Sequence, residues 1–198
     1  MAAVRQSPLF HTHEQAGASF VDHHGWRVPA YFTFAQKEAE QLAKSVAVSD
    51  VSWMVKLDVK GQPPETLDRA GWRLGPQHFL ITRPPGAQLP DFTPTLSVTD
   101  VTSVYAQFLL AGPRSRDVLR KLTSLNVATL VNLACGQASV AHVPGKVLRE
   151  DIGDIPAFHI LVSREYGESA WEAILHAGHE FHIAPFGLKA LEFLGGRA

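Results

Sequence analysis

Ten histidines and a single cysteine are the residues of this 198-residue chain with the most obvious capacity for chemistry. His176-x-x-His179-x-x-His182 offers three imidazoles at regular spacing, and imidazole is a common ligand of zinc and other transition metals. On one helix, side chains three and six positions apart fan over about 120 degrees, and Gly178 with a helix end near Glu180 moves them further from a common focus. The spacing therefore reads as solvated histidines at a helix C-terminus, where positive charge is favourable, with a metal site as the outsider. His23-His24 ahead of Gly25-Trp26, and His11-x-His13 beside a polar turn, are candidate proton carriers, but neither pair has an evident carboxylate orienter at short range. Cys135 in Leu133-Ala-Cys-Gly136 has apolar company that suits an inert small hydrophobe better than an activated thiolate. The chain contains no G-x-G-x-x-G, Walker loop, G-x-S-x-G or H-E-x-x-H, so nucleotide-binding, serine-hydrolase and zinc-protease readings lose their usual support.

The elements that must carry these residues follow from periodicity and punctuation. Phe34, Ala39, Leu42, Ala43 and Val46 recur at helical spacing and predict an amphipathic helix from about Phe34 to Ser45, apolar face inward. From Trp53 to Lys60 apolar and polar residues alternate up to Gly61, the pattern of a strand with one wet face. A short helical or coil piece, Pro63 to Ala70, precedes a strand from Gln77 to Thr82; Pro84, Pro85, Pro90 and Pro94 then argue against ladder pairing. Tyr105 to Ala111 reads as a buried strand, and Gly112-Pro113 opens a helix through Leu122, because proline is tolerated where the first-turn amide has no partner. Strands are predicted at Ala138–Val143, Lys146–Arg149 and Phe158–Val162, followed by a helix with Tyr166, Ala170, Trp171, Ile174 and Leu175 on one stripe and a last short helix from Gly187 to Leu194. Strands and helices in no strict alternation give the α+β class.

Composition narrows the function. Eighteen Lys and Arg against nineteen Asp and Glu leave a formal charge of -1, with no field to hold a nucleic-acid backbone or an anionic membrane surface. No stretch approaches the roughly 20 apolar residues of a membrane span, and the first residues lack an apolar secretory core. One cysteine cannot form an internal disulfide, so a cytoplasmic setting is expected. The chain is 45% apolar but only 19% charged, below the roughly 25% usual for soluble domains, which suggests that a partner covers part of its surface.

Three stretches resemble the aminomethyltransferase superfamily, which comprises the glycine-cleavage T-protein, related tetrahydrofolate-dependent demethylases and the gamma subunit of heterotetrameric sarcosine oxidase. Ser7-Pro-Leu-Phe10, Val21-Asp-His-His-Gly-Trp-Arg-Val-Pro29 and Ala47-Val-Ser-Asp-Val-Ser-Trp-Met54 are similar to T-P-L-Y, V-D-x-x-G-W-x-x-P and G-x-x-D-V-S-H-M. Leu110-Ala-Gly-Pro-Arg-Ser-Arg-Asp-Val-Leu119 resembles L-x-G-P-x-A-R-x-V-L. Phe158-His-Ile-Leu-Val162, Ala170-Trp171 and Ala184-Pro-Phe-Gly-Leu188 resemble F-E-I-Y-V, the A-L-W helix and R-P-C-G-L. The resemblance implies a T-protein-like folate-binding fold of intertwined antiparallel sheets, one region over 1–198 with approximate halves 1–100 and 101–198, ending where the family's C-terminal barrel would begin.

It also implies a site, and the departures bear on it. If the chain is active, Asp68 or Asp50 would orient a substrate amine, Tyr31 and Trp72 would line a pterin slot, and Met54 would pack on the ring. Each has a plainer role: Asp68 in the first turns of an exposed helix, Asp50 capping a turn, Met54 and Trp72 filling core, Tyr31 half exposed. The interval from Gly61 to Trp72 is too short for the family's N-x-x-G-G-x-x-D-D. Where the family has R-T-G-Y-T-G-E, this chain has Arg149-Glu-Asp-Ile-Gly-Asp-Ile155, and an apolar Ile155 cannot accept pterin N–H bonds. Glu150, Asp151 and Asp154 are nearby but out of register, and Leu191 replaces the arginine that meets the folate tail. The short Arg73-Leu-Gly-Pro-Gln-His-Phe-Leu80 resembles the sarcosine oxidase gamma subunit's L-G-P-x-x-W-L-L. The expectation is thus an accessory or structural subunit with weak or absent tetrahydrofolate binding, docked to a larger subunit or a second copy, with an active tetrahydrofolate-dependent transferase or demethylase as the alternative.

Overall fold

The computed structural model describes residues 4–62 and 71–195. Three sheets organise them. The first pairs β1 (Arg5–Gln6) parallel with β3 (Trp26–Tyr31), whose other edge takes β2 (Ser19–His23) antiparallel. The second comprises β4 (Ala47–Asp50), β9 (Tyr105–Ala111), β10 (Cys135–Val140), β11 (Val143–Arg149), β12 (Ala157–Ser163) and β13 (Ala184–Pro185), in the order β10-β11-β12-β9-β4-β13. The third comprises β5 (Val55–Lys60), β6 (Trp72–Gly75), β7 (His78–Arg83) and β8 (Ser97–Asp100), in the order β6-β7-β5-β8. The helices among the described residues are α1 (Phe10–Gln15), α2 (Ala35–Lys44), α3 (Ser115–Leu122), α4 (Gly167–Gly178) and α5 (Leu188–Phe193).

The six-stranded sheet is covered on both faces, which is why β9 and β12 are apolar almost without interruption. Period-two alternation divides their side chains. Phe108, Leu110, Phe158, Ile160 and Val162 join Val118 and Leu119 of α3 and Trp171 and Ile174 of α4 in one core. Leu109, Ala111 and Ala157 take the opposite face, with Trp26 and Val28 of β3, Ala39 and Leu42 of α2, and Leu188, Ala190 and Leu191 of α5. Residues from both ends of the chain therefore share one core. His159, between Phe158 and Ile160, is directed to the Leu109 side by the same alternation, and the two are register partners.

Several expected elements shift in detail. The helix Ala35–Lys44 buries Ala39 and Leu42, whereas Phe34 is 66% exposed and Ala43 is also exposed. Val46 reaches the core from beyond the helix end. The strand expected to begin at Trp53 begins at Val55, because Val51 to Met54 form a turn closed by the Met54 N–H donating to the Val51 carbonyl at 3.0 Å. The two strands expected at 138–143 and 146–149 are a hairpin, Cys135–Val140 with Val143–Arg149. Its turn residues Ala141 and His142 have φ of 50° and 68°, as a two-residue turn matched to the strand twist requires. The piece expected over Pro63 to Ala70 lies outside the described residues.

Candidate functional site

The turn after β4 is built around a buried carboxylate. Asp50 Oδ1 accepts from the Ser52 backbone N–H at 3.0 Å and from Ser52 Oγ at 2.6 Å. Its Oδ2 accepts from Ser7 Oγ and meets His13 Nε2 at 3.1 Å. Burial alone would raise the pKa of this carboxyl, but the bonds from His13, Ser52 and Ser7 overcome it, and the acid is held below its ordinary value. Ser52 Oγ in turn accepts from the Gln107 backbone N–H at 3.0 Å, which ties the turn to β9.

Lys56 completes the support. Its side chain is fully buried, and Nζ donates to the carbonyls of Ser52 and Met54 at 2.9 and 2.8 Å. The alternation of the strand marks this position as wet, but its face is closed by the turn and by the residues following β8; the Lys56 backbone N–H donates to Thr102 Oγ1 at 3.0 Å. Desolvation pushes the amine down to about 7 despite the attraction of Asp50 and Asp100, with Arg164 adding to the fall. Carboxylate and amine together fix the turn whose last residue, Met54, lies in the wall of a cleft.

That cleft has a volume of about 450 Å³, within the ordinary range for small-molecule sites. Val51, Met54, Leu109, Ile152, Leu191 and Leu194 give it apolar surface; Thr82, Asn132, Glu150, Asp151 and His159 give it polar groups. Arg83 is the only Lys or Arg among the described lining residues. Asp151 is committed to Arg149, with bonds of 3.0 and 2.6 Å, and also accepts from the Ala157 N–H. His159 Nδ1 stands 3.0 Å from Gln107 Nε2. Burial, and to a lesser extent the charge of Lys56, pushes His159 down to about 4, so it is neutral at physiological pH.

The structure places the described candidates in four settings. Met54 lines the cleft. Trp72 lies behind it, in a cluster with Leu80, Leu148 and Leu161, its indole N–H donating at 2.9 Å to Thr82 Oγ1 in the cleft wall. Asp50 is sealed beneath the turn. Tyr31 belongs to a separate hollow with Phe34, Ala35 and Phe193, so it does not share a slot with Met54. Asp68 lies outside the described residues. Glu150 and Asp151 line the cleft, as does Leu191, while Ile155 packs on the core beside Ile152.

His13 meets its orienting carboxylate in Asp50, 37 positions away, and not in the adjacent Glu14, which instead comes within 3.5 Å of His11 Nδ1. His176, His179 and His182 are all exposed, and the described residues contain no group of three or more His, Cys, Asp or Glu able to hold a metal ion. Cys135 donates to the Arg73 carbonyl at 3.1 Å, and burial raises its thiol pKa. Gln107 and Lys56 lie in none of the motifs quoted above; His159 lies in Phe158-His-Ile-Leu-Val162, where its place inside an otherwise apolar strand was the one signal.

Comparison with known proteins fits this geometry. A family profile described as the GCVT N-terminal domain matches residues 9–70 and 71–195. The chain belongs to the GCVT N-terminal domain family. Within that family it is 25% identical over 233 residues to an aminomethyltransferase of Saccharopolyspora erythraea, covering 98% of this chain and 64% of the relative. An aminomethyltransferase of Geobacillus kaustophilus is 26% identical over 230 residues, covering 96% and 63%. The chain thus spans just under two thirds of the length of these relatives.

Two solved structures share the fold. The glycine cleavage system aminomethyltransferase T of Bartonella henselae superposes with a TM-score of 0.77 at 21% identity, over 96% of this chain and 62% of that one. Heterotetrameric sarcosine oxidase from Corynebacterium sp. U-96, in complex with pyrrole 2-carboxylate, superposes with a TM-score of 0.60 at 18% identity, over 89% of this chain and 96% of that one. The α+β arrangement is therefore the GCVT-like folate-binding fold. For the reduced folate that this fold implies, the cleft offers suitable apolar contact for a flat ring at Met54, Leu109 and Leu191, and polar partners at Asn132, Glu150 and His159. The ring fits these residues. For an anionic tail, Leu191 supplies no charge, and Arg83, which donates to the Thr82 carbonyl at 2.8 Å, is the one Lys or Arg among the described lining residues.

Proposed function

We propose that the chain is an accessory or structural subunit of one-carbon or methylamine metabolism, catalytically incomplete alone and working beside a larger subunit or a second copy of itself in the cytoplasm. The observation that carries this reading is the division between a formed cleft and a sealed acid. Met54, Leu109 and Leu191 provide a ligand-sized recess, yet Asp50 is spent on Ser7, His13 and Ser52 below it. An acid so engaged orients no substrate amine. The matched extent, 96% of the aligned sarcosine oxidase chain, supports the subunit reading, as does the low share of charged residues.

The alternative, an active tetrahydrofolate-dependent aminomethyltransferase or demethylase, is supported by the fit of the cleft to a flat ring. A bound reduced folate would supply N5 as the acceptor of a one-carbon unit. The chain itself would hold the ring against Met54 and Leu191, donate from His159, and meet the tail anion with Arg83; catalysis would then rest mainly on positioning. Isothermal calorimetry with tetrahydrofolate separates the two readings. The subunit reading expects binding weaker than about 1 mM and recovery of a stoichiometric larger chain, or a homodimer, on purification from the native source. Micromolar folate binding by a clean monomer with aminomethyl-transfer activity would replace it with the alternative.

A further inference from the structure

The floor of the cleft has a hydrogen-bonding polarity that follows from two neighbouring side chains. Gln107 Nε2 lies 3.0 Å from His159 Nδ1 and 3.7 Å from Met54 Sδ. Both contacts suit an amide nitrogen, because a thioether sulfur and an unprotonated imidazole nitrogen only accept. In this orientation Gln107 spends its donors and leaves Oε1 as its single buried atom without a partner. The reverse orientation would set a carbonyl oxygen against sulfur and strand the NH2 group instead. This orientation of Gln107 pairs with the His159 tautomer in which Nδ1 accepts and Nε2 carries the proton.

Among the described residues no hydrogen bond reaches Nε2 of His159, and unlike His13 Nδ1 and His23 Nε2 it is not a buried orphan. His159 as a residue is 6% exposed, and it lines the cleft. Because burial keeps the imidazole uncharged, it offers a directional N–H rather than a cation. The similar family strand, F-E-I-Y-V, has a glutamate at this place, an acceptor when ionised; this chain has a donor.

We propose that His159 sets the specificity of the cleft, its Nε2–H donating to a carbonyl oxygen or pyridine-type nitrogen on the edge of a flat, uncharged heterocycle lodged among Met54, Leu109 and Leu191. The inference rests on the reading of the cleft as a ligand site and names the class of ligand. A ring that turns an N–H or a positive charge to the floor meets donor against donor and leaves a buried group unpaired, which weakens it about tenfold or more. A ring with an acceptor edge gains the bond without paying to deprotonate or reorient the histidine.

The test uses the full chain labelled with 15N-histidine and two probes of equal size, N-methyl-2-pyridone, which has a carbonyl acceptor and no N–H, and N-methylpyridinium, which has a charge and no acceptor. Long-range 1H–15N spectra of the free protein are expected to show His159 neutral and protonated at Nε2 between pH 6 and 8. Titration with the pyridone should move that resonance saturably, and the pyridinium should not. His159→Phe should lose about tenfold in pyridone affinity, and His159→Gln, which keeps an N–H near the same place, should recover most of it. A proton on Nδ1, equal binding of the two probes, or an unmoved His159 signal overturns the proposal. Folinic acid is titrated separately. Binding that leaves the His159 signal unmoved overturns this proposal while favouring a folate site, whereas no folinate binding alongside a pyridone-shifted His159 removes the folate alternative and leaves this proposal standing.

Discussion

Replacing Lys56 with methionine should remove a specific pH dependence of stability. In the folded chain the amine is pushed down to about 7 from an ordinary 10.5. Between those values the unfolded chain binds a proton that the folded chain does not, so stability rises as pH rises through the window. One full proton is worth about 1.4 kcal/mol per pH unit. From pH 7, where the folded amine is half protonated, to pH 9 the gain integrates to about 2 kcal/mol. Cys135 limits the window: its raised thiol pKa makes stability fall with pH above its ordinary 9.0. Trp26, Trp53, Trp72 and Trp171 are all buried, so urea unfolding followed by intrinsic fluorescence reports on every core they occupy. With a urea slope of about 2 kcal/mol per M, the wild-type midpoint should climb by about 1 M between pH 7 and 9. Lys56→Met keeps the aliphatic stem and should leave the midpoint nearly level. The variant loses donors to the Ser52 and Met54 carbonyls, so its absolute stability is a separate quantity from this slope. A wild-type midpoint that stays flat, or an equal climb in the variant, refutes the reasoning.

Three further outcomes follow from the same geometry. His159 has a folded pKa of about 4 against an ordinary 6.5, so the unfolded chain takes up the extra proton between those values and acidification costs stability, by up to about 3 kcal/mol; His159→Gln should flatten that limb in urea titrations from pH 7 to 4. Asp50→Asn retains shape but loses the charge that accepts from Ser7, His13 and Ser52; calorimetric unfolding at pH 7 should show a loss of about 2 to 4 kcal/mol, and the loss should shrink in acid, since the folded acid titrates below its ordinary 3.8 and its contribution disappears as pH falls through that range. Gly187→Ala would set a methyl 2.3 Å from the Ala30 carbonyl carbon and oxygen, and should cost about 1 to 3 kcal/mol by thermal unfolding as β3 and the start of α5 are forced apart.

Legibility from sequence depended on how many neighbours decided each residue. The strand Tyr105–Ala111 was readable in full, because both faces are buried and the apolar run needs no partner to announce it. The α2 face was readable at Ala39 and Leu42 but not at Phe34, whose ring is left outside by the extended N-cap. β8 was hidden: Ser97–Asp100 is exposed throughout and held by pairing to β5, which no local pattern encodes. The same distinction governs the site. Met54 was accessible through motif resemblance, whereas the Asp50–His13 pair spans 37 positions and the Gln107–His159 pair spans 52. Lys56 ran against its own pattern, since alternation places a lysine outward unless something covers that face, and the cover comes from the turn just before the strand and from the residues after β8, 46 positions on.

The seam between Glu38 and Gly187 has a consequence for biosynthesis. Glu38 Oε1 accepts from the Phe32 and Thr33 amides nearby, but Oε2 waits for the Gly187 amide, 149 positions later. At roughly 5 to 20 residues per second, a ribosome takes about 7 to 30 s to deliver that amide. Throughout that interval Trp26, Val28 and Ala39 have no Phe186 or Leu188 to bury them, and the β4 edge has no β13. The nascent protein therefore emerges with an open, greasy seam that only the segment around Gly187 can zip shut, a period in which holdase chaperones have a clear target.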